Sequence, residues 1–476
     1  MTDHARGRVL DAGGPELLER LDHLDRRDGS RETLAAPRSP DRGATPDYDV
    51  VIAGGGLSIL YAVPFARAGL RVAVVERAAA GTAHREWNAS RPELERLVEA
   101  GLCSRDELDE DLIVARYARG LCRWHGGGTY AVRGVLDCAV DAGALVALAR
   151  TRATALGVTF IDRTTALGVA PGADAISLLL RGPGGATREL VTRVVVDARG
   201  ASSPFASADL VCPTVGGVLR GLREGDGPRE IRPDIGEILA TTEDAIGGRQ
   251  YLWEAFPGRA GETTVYLFHY ARREDATAPG LVELYGRFFE SLARYKDGDA
   301  TLVRPTFGLI PGWSRLTRAP ASGHPRVVLV GDAAARHSPL TFCGFGATLR
   351  SLAPSVEAVC LAADGAALAL GTWVHDSPVH SGTGALALLL ASLDARPERA
   401  SYANELLDVA FSVLAEMGEE SFGRMLRDEA TAEELVAFLR ATAARRPDVY
   451  REVFGRLGTG PVMRWGAGIV GALLRG

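Results

Sequence analysis

Tyr48-Asp-Val-Val-Ile-Ala53, Gly54-Gly55-Gly56-Leu57-Ser58-Ile59 and, after a short interval, Arg71-Val-Ala-Val-Val75-Glu76 form the stretch that decides the fold. The first block is a β-branched apolar run, as a strand covered on both faces requires. Three glycines then mark a tight turn, a segment of helical character follows, and Gly69 stands where that helix would end. A second apolar strand closes on an acid, Glu76, 22 residues after Gly54. Together these are the parts of a βαβ unit that holds a dinucleotide. One glycine turns the chain and another lets the backbone approach a pyrophosphate. The helix start offers free N–H groups, and the terminal acid accepts from a ribose. Two positions depart from the pattern: Ile59 replaces the third glycine, and Pro64 falls inside the helix, where it should kink it. The expected nucleotide contacts are Gly54, Gly55, Gly56, Glu76 and the adjacent Arg77. A glycine-rich turn in some other α/β protein is the competing reading.

Outward from this unit, two more buried-strand patterns run into glycine turns. Val191-Thr-Arg-Val-Val-Val-Asp197 leads to Arg199-Gly200, and Arg326-Val-Val-Leu-Val330 leads to Gly331-Asp332. In flavoproteins with two dinucleotide folds, a Gly-Asp pair after a strand accompanies the ribityl chain, whose hydroxyls the acid accepts. Downstream, Gly344-Phe345-Gly346 offers backbone N–H groups to a flavin pyrimidine oxygen, and Arg199 stands where it could close over the cofactor. FAD is therefore the expected cofactor. The one fingerprint then serves FAD, which leaves NAD(P)H as an indirect electron source at most and the reductant open. The expected fold class is α/β: a Rossmann-like FAD-binding domain, an antiparallel β-sheet substrate domain and a helical C-terminal region. The expected boundaries are an N-terminal extension over 1–46, a discontinuous FAD-binding domain over 47–200 and 318–360, the sheet domain over 201–317 and helices over 361–476. Alternating aromatic and polar residues over 247–270 support the sheet.

Composition narrows the function. With 476 residues, 46% hydrophobic and 24% charged, the chain is an ordinary globular protein of more than one domain. A formal charge of −6 gives no footprint for nucleic acid. Lys296 is the sole lysine, and Asp297 follows it, so a phosphate-binding Gly-Lys-Ser/Thr loop is excluded. The six cysteines are scattered without a C-x-x-C pair, which predicts a reducing compartment and no metal centre. Neither a secretory leader nor a membrane-spanning run is evident. A cytoplasmic protein follows, peripheral to the membrane if the apolar stretch 462–474 lies at an interface; a core-packed terminal helix is the alternative.

Several motifs together resemble one family. Gly54-Gly55-Gly56-Leu57-Ser58-Ile59, Arg85-Glu86-Trp87-Asn88-Ala89-Ser90-Arg91, Tyr251-Leu-Trp-Glu-Ala-Phe-Pro257, Thr263-Thr-Val-Tyr-Leu-Phe-His-Tyr270, Gly308-Leu-Ile-Pro-Gly312 and Ser338-Pro-Leu-Thr-Phe-Cys-Gly-Phe-Gly346 are similar to segments of the Cru-type lycopene cyclases and their close paralogues. The resemblance runs from about residue 48 to about 440 and absorbs Ile59; Ser58 replaces the family's glycine. It implies FAD working in its reduced state without net turnover, a lipophilic carotenoid substrate drawn from a membrane, and redox-neutral cyclisation of an acyclic end group begun by an acid. Glu254 is the candidate acid, because a carboxyl in an apolar site stays protonated near neutrality. Trp253 and Phe256 are the expected aromatic walls for a developing cation. An edge strand turning Glu254 to solvent is the competing reading. His337 is a weaker candidate for a second proton relay. The rival functions are a carotenoid or isoprenoid reductase, an epoxide-reducing paralogue, a flavin monooxygenase and a non-catalytic carotenoid scaffold. The halogenase segment Trp-x-Trp-x-Ile-Pro is absent from the sequence.

Overall fold

Val50, Val51, Ile52 and Ala53 pair in parallel with Val72, Ala73, Val74 and Val75 on one side, and Val50 to Ala53 with Val194 to Asp197 on the other. These residues belong to a computed structural model that describes residues 2–27, 37–83, 86–206, 208–314, 316–317, 323–335, 340, 344–365 and 378–474. The sequence candidates Arg85, His337, Ser338 and Pro339 lie outside the described residues. The parallel strands stand in the order Thr159–Ile161, Val72–Val75, Tyr48–Ala53 and Thr187–Asp197, with Val327–Leu329 beside the last. The strand Thr187–Asp197 is long enough for two tasks. Its first half joins the antiparallel strands Thr165–Pro171 and Ile176–Arg181, and its second half completes the parallel sheet. Apolar side chains on both faces explain why these strands are near-continuous Val, Ile and Ala.

The helix after the glycines is divided in two. Leu57–Tyr61 forms a tight 3₁₀ turn and Ala62–Arg67 continues as α-helix. Pro64 therefore sits in the first turn of the α-helical part, where its missing N–H costs nothing, and it does not kink a longer helix. Ser58, in place of a glycine, donates its hydroxyl to the Gly54 carbonyl at 2.7 Å and ties the turn together.

A second, mostly antiparallel sheet runs Leu210–Leu222, Thr263–Phe268, Leu252–Pro257, Ile235–Ala240, Arg119–Arg123 and Thr129–Val132, with Gly298–Gly312 on the far side of the first. The strands at 119–123 and 129–132 fall within the block expected to belong to the nucleotide domain, yet they finish this sheet. The boundary at 201 is corrected accordingly: chain order does not follow spatial order here. The N-terminal segment needs the same correction. Thr2–Arg27 is helical, broken at Gly14 (φ 75°) ahead of Pro15, and is not an appendage. Val9, Leu17 and Leu21 pack with Leu281, Tyr285 and Phe288 of the helix Leu281–Tyr295 against one face of the second sheet. Asp25 caps that helix, accepting from the Leu281 and Val282 N–H groups at 2.7 and 3.2 Å. The helices Pro378–Leu390, Tyr402–Glu416, Glu419–Leu426 and Ala432–Arg445 contribute to the core on the other face, with Leu252, Phe256 and Phe268.

Candidate functional site

The nucleotide candidates gather because their strands end in step. Val75, Ala53, Asp197 and Leu329 stand side by side across the parallel sheet, and Glu76–Arg77, Gly54–Gly56, Arg199 and Gly331–Asp332 follow them in turn. Open α/β sheets bind ligands at this carboxyl edge. The three glycines have separate duties. Gly54 has φ +116°, and a Cβ there would lie 2.5 Å from the Ala198 carbonyl oxygen. A Cβ on Gly55 would lie 2.6 Å from Cβ of Ala80. Both are glycine so that neighbouring turns can pack. A Cβ on Gly56 would meet nothing within 4 Å, so this is the position that leaves room for a ligand to approach the backbone. The Glu76 carboxylate accepts from the Gly55 N–H at 2.7 Å and the Ala78 N–H at 2.9 Å, which holds it beside the glycine turn. Arg77 is exposed at the same edge.

Asp332 lies half-buried in the 3₁₀ turn Gly331–Ala333, facing the turn at Gly200. Arg199 was expected to reach the cofactor, but its guanidinium is engaged inside the protein. It donates to the fully buried Asp197 carboxylate at 3.0 and 2.6 Å and to the Ala166 and Leu167 carbonyls at 2.9 and 3.2 Å. Its role is to brace the turn after the strand, because a carboxylate buried that deeply needs its cation. Gly344 and Gly346 open the helix Gly344–Ala363. A side chain at Gly346 would run into the Glu93 carboxylate, so this glycine is set by packing.

Glu254 is 2% exposed, on the strand Leu252–Pro257. Strand alternation puts it on one face with Leu252 and Phe256, and its cross-strand partner on that face is Tyr266. Tyr117 and Tyr270 of the same core cluster are close enough for its charge to raise their hydroxyl pKa further. Its one hydrogen-bond donor given by the structure is the Asn88 amide, at 2.8 Å. Burial outweighs that bond and pushes the carboxyl up to about 8, so Glu254 is protonated at neutral pH. The solvent-facing alternative is overturned. Trp253, however, is corrected: it points through the sheet to the other side, stacked on Tyr295 at 4.8 Å and 5.7 Å from Phe288. It is not a wall of the Glu254 site, because successive strand residues face opposite ways.

The segment around Asn88 joins the site to the nucleotide edge. Tyr266 donates its hydroxyl to the Glu86 carbonyl at 3.1 Å, and Arg304 pairs with the Glu86 carboxylate at 3.0 Å. Trp87 stacks on Phe345, between the two glycines, with ring centroids 4.9 Å apart. Ser90 then caps the helix Arg91–Glu99 through a reciprocal box with Glu93. Sequence reasoning missed Glu93, although Ser90-x-x-Glu93 is a readable capping signal. Its carboxylate is 2% exposed and ion-paired with Arg350. That distant partner has no local signature. Arg350→Met should leave a buried charge unpaired and cost roughly 3–5 kcal/mol, measurable by urea denaturation. An unchanged midpoint would show that the pair contributes nothing.

No family model matches the chain, and no curated protein sequence matches it. Solved structures do share its fold. A geranylgeranyl bacteriochlorophyll reductase-like protein from Thermoplasma acidophilum aligns with TM-score 0.54 at 15% identity, covering 86% of this chain and 99% of its own. The halogenase PltM, solved with phloroglucinol and FAD, aligns with TM-score 0.57 at 14% identity, covering 85% and 86%. The p-nitrophenol 4-monooxygenase PnpA from Pseudomonas putida DLL-E4 aligns with TM-score 0.55 at 16% identity, covering 80% and 97%. The architecture is that of FAD-binding Rossmann-type flavoproteins, as expected. Likeness at this level establishes the fold and leaves the chemistry to the site.

Proposed function

We propose that this protein is an FAD-dependent enzyme that protonates an alkene of an apolar, isoprenoid-type substrate, with Glu254 as the acid. The observation that carries this reading is the Glu254 carboxyl itself: buried among aromatic and aliphatic side chains, held by one amide, and protonated at neutral pH. Gly54 to Gly56, Glu76 and Asp332 would hold FAD along the carboxyl edge, with the open space at Gly56 admitting its phosphates. Bound reduced FAD supplies a hydride or electron density to the substrate. The protein residues do the rest. Glu254 gives its proton to the double bond, and the Asn88 amide, already donating to Oε1, steadies the carboxylate that results. The ring faces of Phe256 and Tyr266 stabilise positive charge as it develops.

Net reduction is the outcome we place first. In that outcome Glu254 would give its proton to one carbon of the double bond, and the hydride that reduced FAD would supply would go to the other. The likeness to a geranylgeranyl reductase-like protein along nearly that protein's whole length supports it. Cyclisation without net redox change is the second reading, favoured by one observation. The hydrogen bond from Asn88 to Glu254 joins two of the segments that carry the lycopene cyclase resemblance. There Glu254, once ionised, is the base that recovers a proton after ring closure. Anaerobic incubation of the FAD-loaded, reduced protein with lycopene or geranylgeraniol, read by chromatography and mass spectrometry, separates them. Products heavier by two hydrogens mean reduction, and a cyclic isomer of unchanged mass means cyclisation. Failure to convert either probe would defeat the proposal.

A further inference from the structure

The C-terminal helix Thr459–Leu473 has a single charged residue, Arg464, and a single hydroxyl, Thr459. Val462 and Ile469 bury themselves in the core, with Trp465 and Leu473 packed partly against it. Met463, Ala467, Val470 and Leu474 recur at i, i+4, i+7 and i+11, a second stripe that the core does not cover. Met463 is 62% exposed, Val470 55% and Leu474 83%. The helix Asp448–Leu457, packed beside it, also turns Tyr450 and Phe454 outward. Single exposed apolar side chains are ordinary, but a helix that is apolar on nearly every side belongs under cover.

The charges say what covers it. On the neighbouring helix, Asp448 is paired with Arg446 at 3.2 Å, and Glu452 with Arg399 and Arg456 at 2.6 Å each. Arg451 and Arg464 are exposed, and neither has an acidic partner among the described residues. In a chain of net charge −6, this apolar patch is thus bordered by two arginines whose charge no acidic group neutralises among the described residues, Arg464 donating only to the Leu316 carbonyl at 3.4 Å. A symmetric pairing with a second copy would bring like arginines into one interface. An anionic lipid surface satisfies both features at once. At about 1.5 Å per residue the helix is far shorter than a roughly 30 Å bilayer core, so it would lie in the surface and not span it.

We propose that the helices Asp448–Leu457 and Thr459–Leu473 seat this protein on an anionic membrane surface, with the Met463–Val470–Leu474 stripe inserted. The proposal extends the apolar-substrate reading, since such a substrate resides in lipid, but lipid binding tests it independently of catalysis. The full chain loaded with FAD is floated with phosphatidylcholine vesicles containing phosphatidylglycerol, and with phosphatidylcholine alone. Wild type should float with the anionic vesicles and be released by salt. Met463→Asp/Val470→Asp should lower the bound fraction at least tenfold with an unchanged melting temperature, because both side chains already stand in solvent. Arg451→Gln/Arg464→Gln should weaken binding to anionic vesicles alone. Wild type that stays unbound overturns the proposal. So does a wild-type dimer that Met463→Asp/Val470→Asp dissociates, which would assign the stripe to a second copy.

Discussion

Glu254→Gln is expected to lower turnover by about 10² or more while FAD content stays that of the wild type. The amide keeps the shape of the acid and can still accept from Asn88, but it has no proton to give. In the wild type the rate should fall as pH rises through about 8, where the buried carboxyl ionises. Stability follows the same titration. The folded carboxyl titrates far above its ordinary value of 4.5, so its contribution is complete below that value and is lost as pH climbs through about 8. The Gln variant should therefore melt with the wild type at low pH and above it in alkaline solution. Full activity in the variant would remove Glu254 from the chemistry and leave the flavoprotein fold untouched.

The second large effect separates two neighbouring glycines. Gly56→Val should keep the fold and purify colourless, since its Cβ would enter the open space left for the cofactor, with no protein atom beyond its chain neighbours within 4 Å. Gly54→Val should fail at an earlier step. It places a β-branched residue at φ +116°, with its Cβ 2.5 Å from the Ala198 carbonyl, and the dihedral alone costs roughly 1–3 kcal/mol. Flavin absorbance per protein and the melting temperature, measured together, distinguish the two. A Gly56→Val protein carrying stoichiometric flavin would place the phosphates elsewhere.

The parallel sheet was legible because its signals are local: apolar runs, a glycine turn and an acid at a fixed distance all lie within 48–76. The burial of Glu254 was only half legible: the apolar neighbours Leu252 and Phe256 leave a buried and a solvent-facing carboxyl equally open, and the resemblance of Trp253-Glu-Ala-Phe-Pro257 to the cyclase segment favours the buried one. Trp253 was misplaced because composition was read where alternation should have ruled; residues 252, 254 and 256 share a face and 253 cannot. Arg199 looked free because the buried Asp197 that holds it is recognisable as buried only once both flanking strands are paired. The helical segment at 2–27 shows too few apolar residues to announce itself, and what orders it is the distant helix Leu281–Tyr295. Asn88 was noticed in its motif, but its partner lies 166 residues away and no spacing rule connects them.

The central claim is that Glu254 is a neutral acid where the substrate reacts. Infrared difference spectroscopy of the FAD-loaded protein, wild type minus Glu254→Gln, reads that proton directly. The prediction is a protonated-carboxyl C=O band at pH 7 that disappears as pH rises through about 8. A Glu254 that shows only the carboxylate bands at pH 6 would contradict it.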